Sequence, residues 1–133
     1  MRIIIDSNVW ISFLLGFQKQ LMRDVLENEH IDVYVCSQLT NEITNVATRS
    51  KISSRIADDD LEKLFRLINA YCRIETIGQQ AVSSVRDSKD LYLLSLADTI
   101  EADYIVTGDN DLLVLNTHGK TRIVSPAQFK QLI

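Results

Sequence analysis

Apolar and polar positions along the chain alternate between two rhythms. The first is a short continuous run, Ile3-Ile-Ile5, closed by Asp6. Three β-branched residues in a row fit a strand buried on both faces. Val9, Trp10, Phe13 and Leu14 then recur at helical spacing up to Gly16, with Ser7 as the expected N-cap. The same alternation repeats down the chain. A helix carrying Leu21, Met22, Val25 and Leu26 precedes a strand over Ile31–Cys36, and Ser37 is expected to cap a helix with Leu39, Ile43, Val46 and Ala47 inward. A basic link, Arg49 to Arg55, leads to Asp58, Asp59 and Asp60 at the start of a helix, where negative charge suits the dipole.

Arg73–Ile77 alternates as a strand. After a polar link and a short apolar patch, Arg86-Asp-Ser-Lys-Asp90 opens a helix with Leu91, Leu94, Ala97 and Ile100 inward. Tyr104–Thr107 and Arg122–Val124 read as the last two strands, with a short helix at Leu112–Leu115 between them. Ser125-Pro-Ala-Gln128 is a capping box with Pro at the first helical position. Strands alternating with helices predict a three-layer α/β/α fold around a parallel sheet of about five strands. The economical strand order is 3-2-1-4-5, which puts the topological switch point between the strands ending at Asp6 and Asp109.

Composition narrows this little. A chain of 133 residues, 46% hydrophobic and 24% charged, reads as a single globular domain over residues 1–133. No apolar run is long enough to span a membrane and no secretory signal is evident, so the expected location is cytoplasmic. Cys36 and Cys72 make neither a disulfide framework nor a zinc site and are expected as buried free thiols. A net charge of -4 disfavours a surface devoted to nucleic acid, although 14 basic residues leave room for a local patch.

The candidate chemistry lies in acids placed where the topology converges. Asp6 and Asp109 end the first and fourth strands, Glu42 lies in the helix after the second, and Asp87 and Asp90 bracket a helix start. Each has a plain alternative: a turn or helix cap for Asp6, Asp87 and Asp109, and a solvated surface position for Glu42. Together they would repel unless a cation compensated, and hard oxygen ligands select Mg²⁺ or Mn²⁺. Such ions activate water and stabilise charge on a phosphodiester.

The segments Ile3-Ile-Ile-Asp6-Ser-Asn8-Val-Trp-Ile-Ser12, Leu39-Thr-Asn-Glu42-Ile, Arg86-Asp-Ser-Lys-Asp90 and Ala102-Asp-Tyr-Ile-Val-Thr107-Gly-Asp109-Asn-Asp111 resemble those of the PIN-domain ribonucleases. The likeness is closest to the small toxins of prokaryotic toxin–antitoxin pairs, the virulence-associated protein C type. It implies a single-stranded RNA endonuclease dependent on Mg²⁺ or Mn²⁺, leaving a 5′-phosphate and a 3′-hydroxyl. It implies Asp6, Asp90 and Asp109 as metal-holding acids, with Glu42 orienting or deprotonating the water or holding a second ion. Asp111 is a fifth acid, Asp87 competes with Asp90 for the third place, and Asn8 and Thr107 hydrogen-bond the cluster. It further implies a homodimer and a cognate antitoxin. Arg49, Lys51 and Arg86, with Arg55 and Lys89, are candidates to meet RNA phosphates.

Three other readings compete. A haloacid-dehalogenase-type phosphohydrolase wants a second acid two residues after the first, where this chain has Asn8. A response-regulator receiver needs an acidic pair and a late-strand Lys that are not evident. A PIN fold kept as a binding or scaffold module without turnover is the strongest rival. Trp10 and Phe17 are both expected in the core, and exposure of either would mark a dimer surface.

Overall fold

The computed structural model describes residues 1–78 and 88–133; of Ser88 and Lys89 only the backbone is described. The Asp87 cap, the Arg86 and Lys89 contacts and the short apolar patch before them fall outside the described residues. The elements run β1 (Arg2–Ile5), α1 (Ser7–Leu14), α2 (Lys19–Leu26), β2 (Asp32–Val35), α3 (Ser37–Ala47), α4 (Ser50–Ser53) and α5 (Asp60–Tyr71). There follow β3 (Cys72–Ile74), α6 (Ser88–Ile100), β4 (Tyr104–Val106), α7 (Asn110–Leu113), β5 (Thr117–His118), β6 (Thr121–Val124) and α8 (Pro126–Leu132).

The sheet order is β3-β2-β1-β4-β6-β5, parallel throughout except for β5. The expected five parallel strands are therefore present in the expected order. The sixth strand, β5, pairs antiparallel with β6 through a turn in which Gly119 takes φ 58°. Two residues are too few to show a period of two. β1 is central because Ile3, Ile4 and Ile5 can be covered on both faces, and all three are at most 2% exposed. Val33, Val35, Ile105, Val106 and Ile123 continue the buried sheet, and Trp10, Leu39, Ile43, Leu94 and Phe129 close on it from the helices.

Several boundaries differ from expectation. Asp6, not Ser7, is the N-cap of α1, and Cys36, not Ser37, occupies that position before α3. The basic link contains a short helix, α4, and the third strand ends at Ile74 rather than Ile77. Cys36 is buried and Cys72 half-buried, both as free thiols. Trp10 is fully buried, but Phe17 is 57% exposed. Phe17 sits in the reversal between α1 and α2, flanked by Gly16 at φ 97° and Gln18 at φ 58°, and this path turns its ring outward. No helix among the described residues is long and apolar enough to cross a membrane.

Candidate active site at the carboxyl edge of the sheet

The register of the central strands builds the site. Ile5 pairs with Val106, so Asp6 and Thr107 emerge side by side, tied by Asp6 N–H to the Val106 carbonyl at 2.9 Å. Asp6 is 4% exposed and its carboxylate is held by donors from three residues, the Ser7 hydroxyl adding a longer contact at 3.4 Å. Its Oδ1 accepts from the Ser7 backbone N–H at 2.6 Å, while Oδ2 accepts from Asn8 Nδ2 at 2.9 Å and from the Thr107 hydroxyl at 2.7 Å. The cap and the candidate site are thus the same carboxylate. Asn8 and Thr107 thus both touch Asp6, and Asn8 Oδ1 also accepts the Gly108 N–H at 3.1 Å. Gly108 keeps an ordinary φ, so its lack of a side chain is not demanded by the backbone.

Asp109 has a double role as well. It caps α7, its Oδ1 accepting from Asp111 N–H at 2.9 Å, and its own N–H donates to Thr107 Oγ1 at 3.0 Å. Thr107 therefore links the two strand-end acids. Glu42 comes from the second turn of α3 and is half-buried, not solvated. Tyr92 of α6 donates a very short hydrogen bond to its Oε2. Asp90 lies in the first turn of α6 and is 9% exposed.

These four acids line one cleft of about 290 Å³, together with Ser7, Asn8, Ile11 and Val46. Burial, first of all, holds the Asp6 carboxyl above its ordinary 3.8, against the pull of the Thr107 and Ser7 hydrogen bonds; the charges of Glu42 and Asp109 add to the rise. Tyr92 is pushed upward by its own burial and by Glu42, so it stays a hydrogen-bond donor across the working pH range. Among the described residues no three His, Cys, Asp or Glu side chains are gathered closely enough to grip an ion. The donor set nevertheless suits a hard divalent cation, being anionic oxygen throughout, and the cleft has room for the waters Mg²⁺ retains. On that chemistry the residues fit the ion.

The remaining candidates are more dispersed. Asp111 is exposed on α7 and does not line the cleft. Arg49 lines an adjoining hollow, Lys51 is exposed on α4, and Arg55 borders a different hollow beside Phe13 and Leu64. The sequence marks Ser7 only as a helix cap and gives Tyr92 no role in the site. Tyr92 lies within an otherwise apolar stretch, Leu91 to Leu94, where a hydroxyl two residues after Asp90 is the only clue.

The comparisons agree with this geometry. A family model described as PIN domain matches residues 2–111, so the chain belongs to the PIN domain family. PIN domains are typically nucleases and generally use divalent metals. Among solved structures it is similar to the PIN domain of human SMG5, with a TM-score of 0.57 at 13% identity and 100% of each chain covered; at that identity the likeness concerns the fold. No curated protein matches the chain.

Proposed function

We propose that this PIN domain is an endoribonuclease of single-stranded RNA dependent on Mg²⁺ or Mn²⁺, and the toxin of a toxin–antitoxin pair. The observation that carries the catalytic part is the convergence of Asp6, Glu42, Asp90 and Asp109 on one cleft at the carboxyl edge of a parallel sheet. The antitoxin partner and the homodimer rest on the resemblance of the motifs, and the exposed Phe17 is a candidate for the dimer surface. A bound divalent ion would supply an activated water and offset charge on the phosphodiester.

Asp6, Asp90 and Asp109 would hold the ion. Asn8, Ser7 and Thr107 fix the orientation of the Asp6 carboxylate in the wall of the cleft. Glu42 would orient the attacking water or take its proton, and Tyr92 sets the direction of that carboxylate. Among the described residues no three acids close on one point, and a PIN fold used for binding without turnover is the second reading.

One experiment separates the two: cleavage of an end-labelled single-stranded RNA in Mg²⁺ or Mn²⁺ by the wild type and by Asp6→Asn. The wild type should cut and the variant should be slower by about a hundredfold or more, the scale of losing one preorganised charge-stabilising group. Equal cutting by both proteins, or none by the wild type with any metal, overturns the nuclease assignment.

A further inference from the structure

Next to the acidic cleft, and sharing Glu42 and Val46 with it, is a second hollow of about 400 Å³. Its wall is Gln38, Asn41, Asn45 and Arg49 of the α3 segment, with Tyr92 of α6. We propose that this hollow is a nucleobase subsite for the RNA strand whose backbone lies in the acidic cleft. The inference rests on the nuclease reading above and adds the part of the substrate that is recognised by its bases.

Helical spacing puts positions 38, 41, 42 and 45 on one stripe of α3, with Arg49 two residues past its last turn, so a strand following α3 meets them in order. The chemistry changes along that stripe. Glu42 faces the reaction centre, the carboxamides of Asn41, Asn45 and Gln38 are neutral, and Arg49 stands at the far end. A carboxamide offers a donor and an acceptor side by side. That suits the edges of bases, which single-stranded RNA exposes, better than it suits a phosphate. Arg49 suits the phosphate of a neighbouring nucleotide.

The Asn41 and Asn45 side chains make no hydrogen bond, and Arg49 no ion pair, with any described residue. Asn is a poor helix former, and α3 spends two helical positions on it where Ala, Glu or Lys would be more stable. Tyr92 completes the hollow. Its hydroxyl is engaged by Glu42, which leaves the ring in the wall as an aromatic surface for a base. The same residue therefore couples base binding to the position of the Glu42 carboxylate.

The test is fluorescence anisotropy of short labelled RNAs, each of a single base type, with Ca²⁺ supplied as the hard cation. Wild type is compared with the double variant Asn41→Ala/Asn45→Ala. Ala is the better helix former, so the variant keeps its helix, and circular dichroism checks this. The expected result is a loss of affinity of about tenfold or more, from lost base-edge hydrogen bonds, and unequal among the four bases. Equal affinity of the two proteins, a loss identical for every base, or no RNA binding by the wild type overturns the subsite. Base-dependent binding by a protein that cuts nothing keeps the subsite and removes the nuclease reading. Cutting with binding indifferent to the double variant does the reverse.

Discussion

Asp6 is a carboxylate asked to be charged in a place that disfavours charge. Burial raises its pKa above 3.8, so the folded chain holds this proton more tightly than the unfolded chain. Between 3.8 and the raised value the native state binds more protons, and stability falls as pH rises through that window. Above the window Asp6 remains a cost to the metal-free fold. The melting temperature in EDTA should therefore gain an increment as pH is lowered into the window. Asp6→Asn should melt higher than wild type at neutral pH and lose that increment. Scanning fluorimetry across pH 4 to 8 decides it, and identical slopes for both proteins would refute the assignment. Thr107 is the complementary case, fully buried, donating to Asp6 and accepting from Asp109 N–H. Thr107→Val keeps the shape and removes these bonds and the longer one from Asn8 Nδ2; urea unfolding should show a loss of about 1–3 kcal/mol, the scale of leaving buried polar groups unsatisfied. The carboxylate at the end of the Ile run was legible in the sequence. Its capping of α1 was legible only as an alternative, because the choice between Asp6 and Ser7 depends on the backbone dihedrals at that joint.

At the scale of elements, the strands with the strongest patterns were the readable ones. β1, β2 and β4 are β-branched runs bounded by polar turns, and their order follows from which of them is apolar on both faces. The short elements α4 and β5 carried no signal, since four and two residues complete neither a helical stripe nor an alternation. The capping box at α8 was legible because its chemistry is local: Ser125 Oγ accepts from Gln128 N–H at 3.1 Å and Gln128 Oε1 accepts from Ser125 N–H at 2.8 Å. Ser125→Ala should cost about 1 kcal/mol, measured by chemical denaturation, with RNA cleavage retained. The α3–α6 contact between Glu42 and Tyr92 was hidden for the opposite reason. It joins residues 50 apart, and no local pattern encodes it.

The whole molecule concentrates negative charge in one concave place on a chain whose net charge is already -4. A cation that binds the folded cleft and not the unfolded chain stabilises by mass action, about 2.7 kcal/mol at a hundred times its dissociation constant. Mg²⁺ or Mn²⁺ should accordingly raise the melting temperature, and the rise should shrink in Asp90→Asn. An unchanged rise in that variant would remove Asp90 from the ion's ligands. The sheet order was readable at this scale because parallel crossovers leave few economical arrangements. The relation of the acids to one another was not, since it depends on side-chain directions that the topology leaves open.

The pairing of β1 with β4 has a consequence in time. Thr107, which orients Asp6, and Asp109, which faces the same cleft, follow Asp6 by about a hundred positions. At a synthesis rate of about 5–20 residues per second, the emerging chain spends several seconds with β1 lacking β4, although β2 is already made. During that interval the acids are scattered along an unfinished polymer. The activity proposed for this cleft is thus withheld until the segment carrying Thr107 and Asp109 has been made.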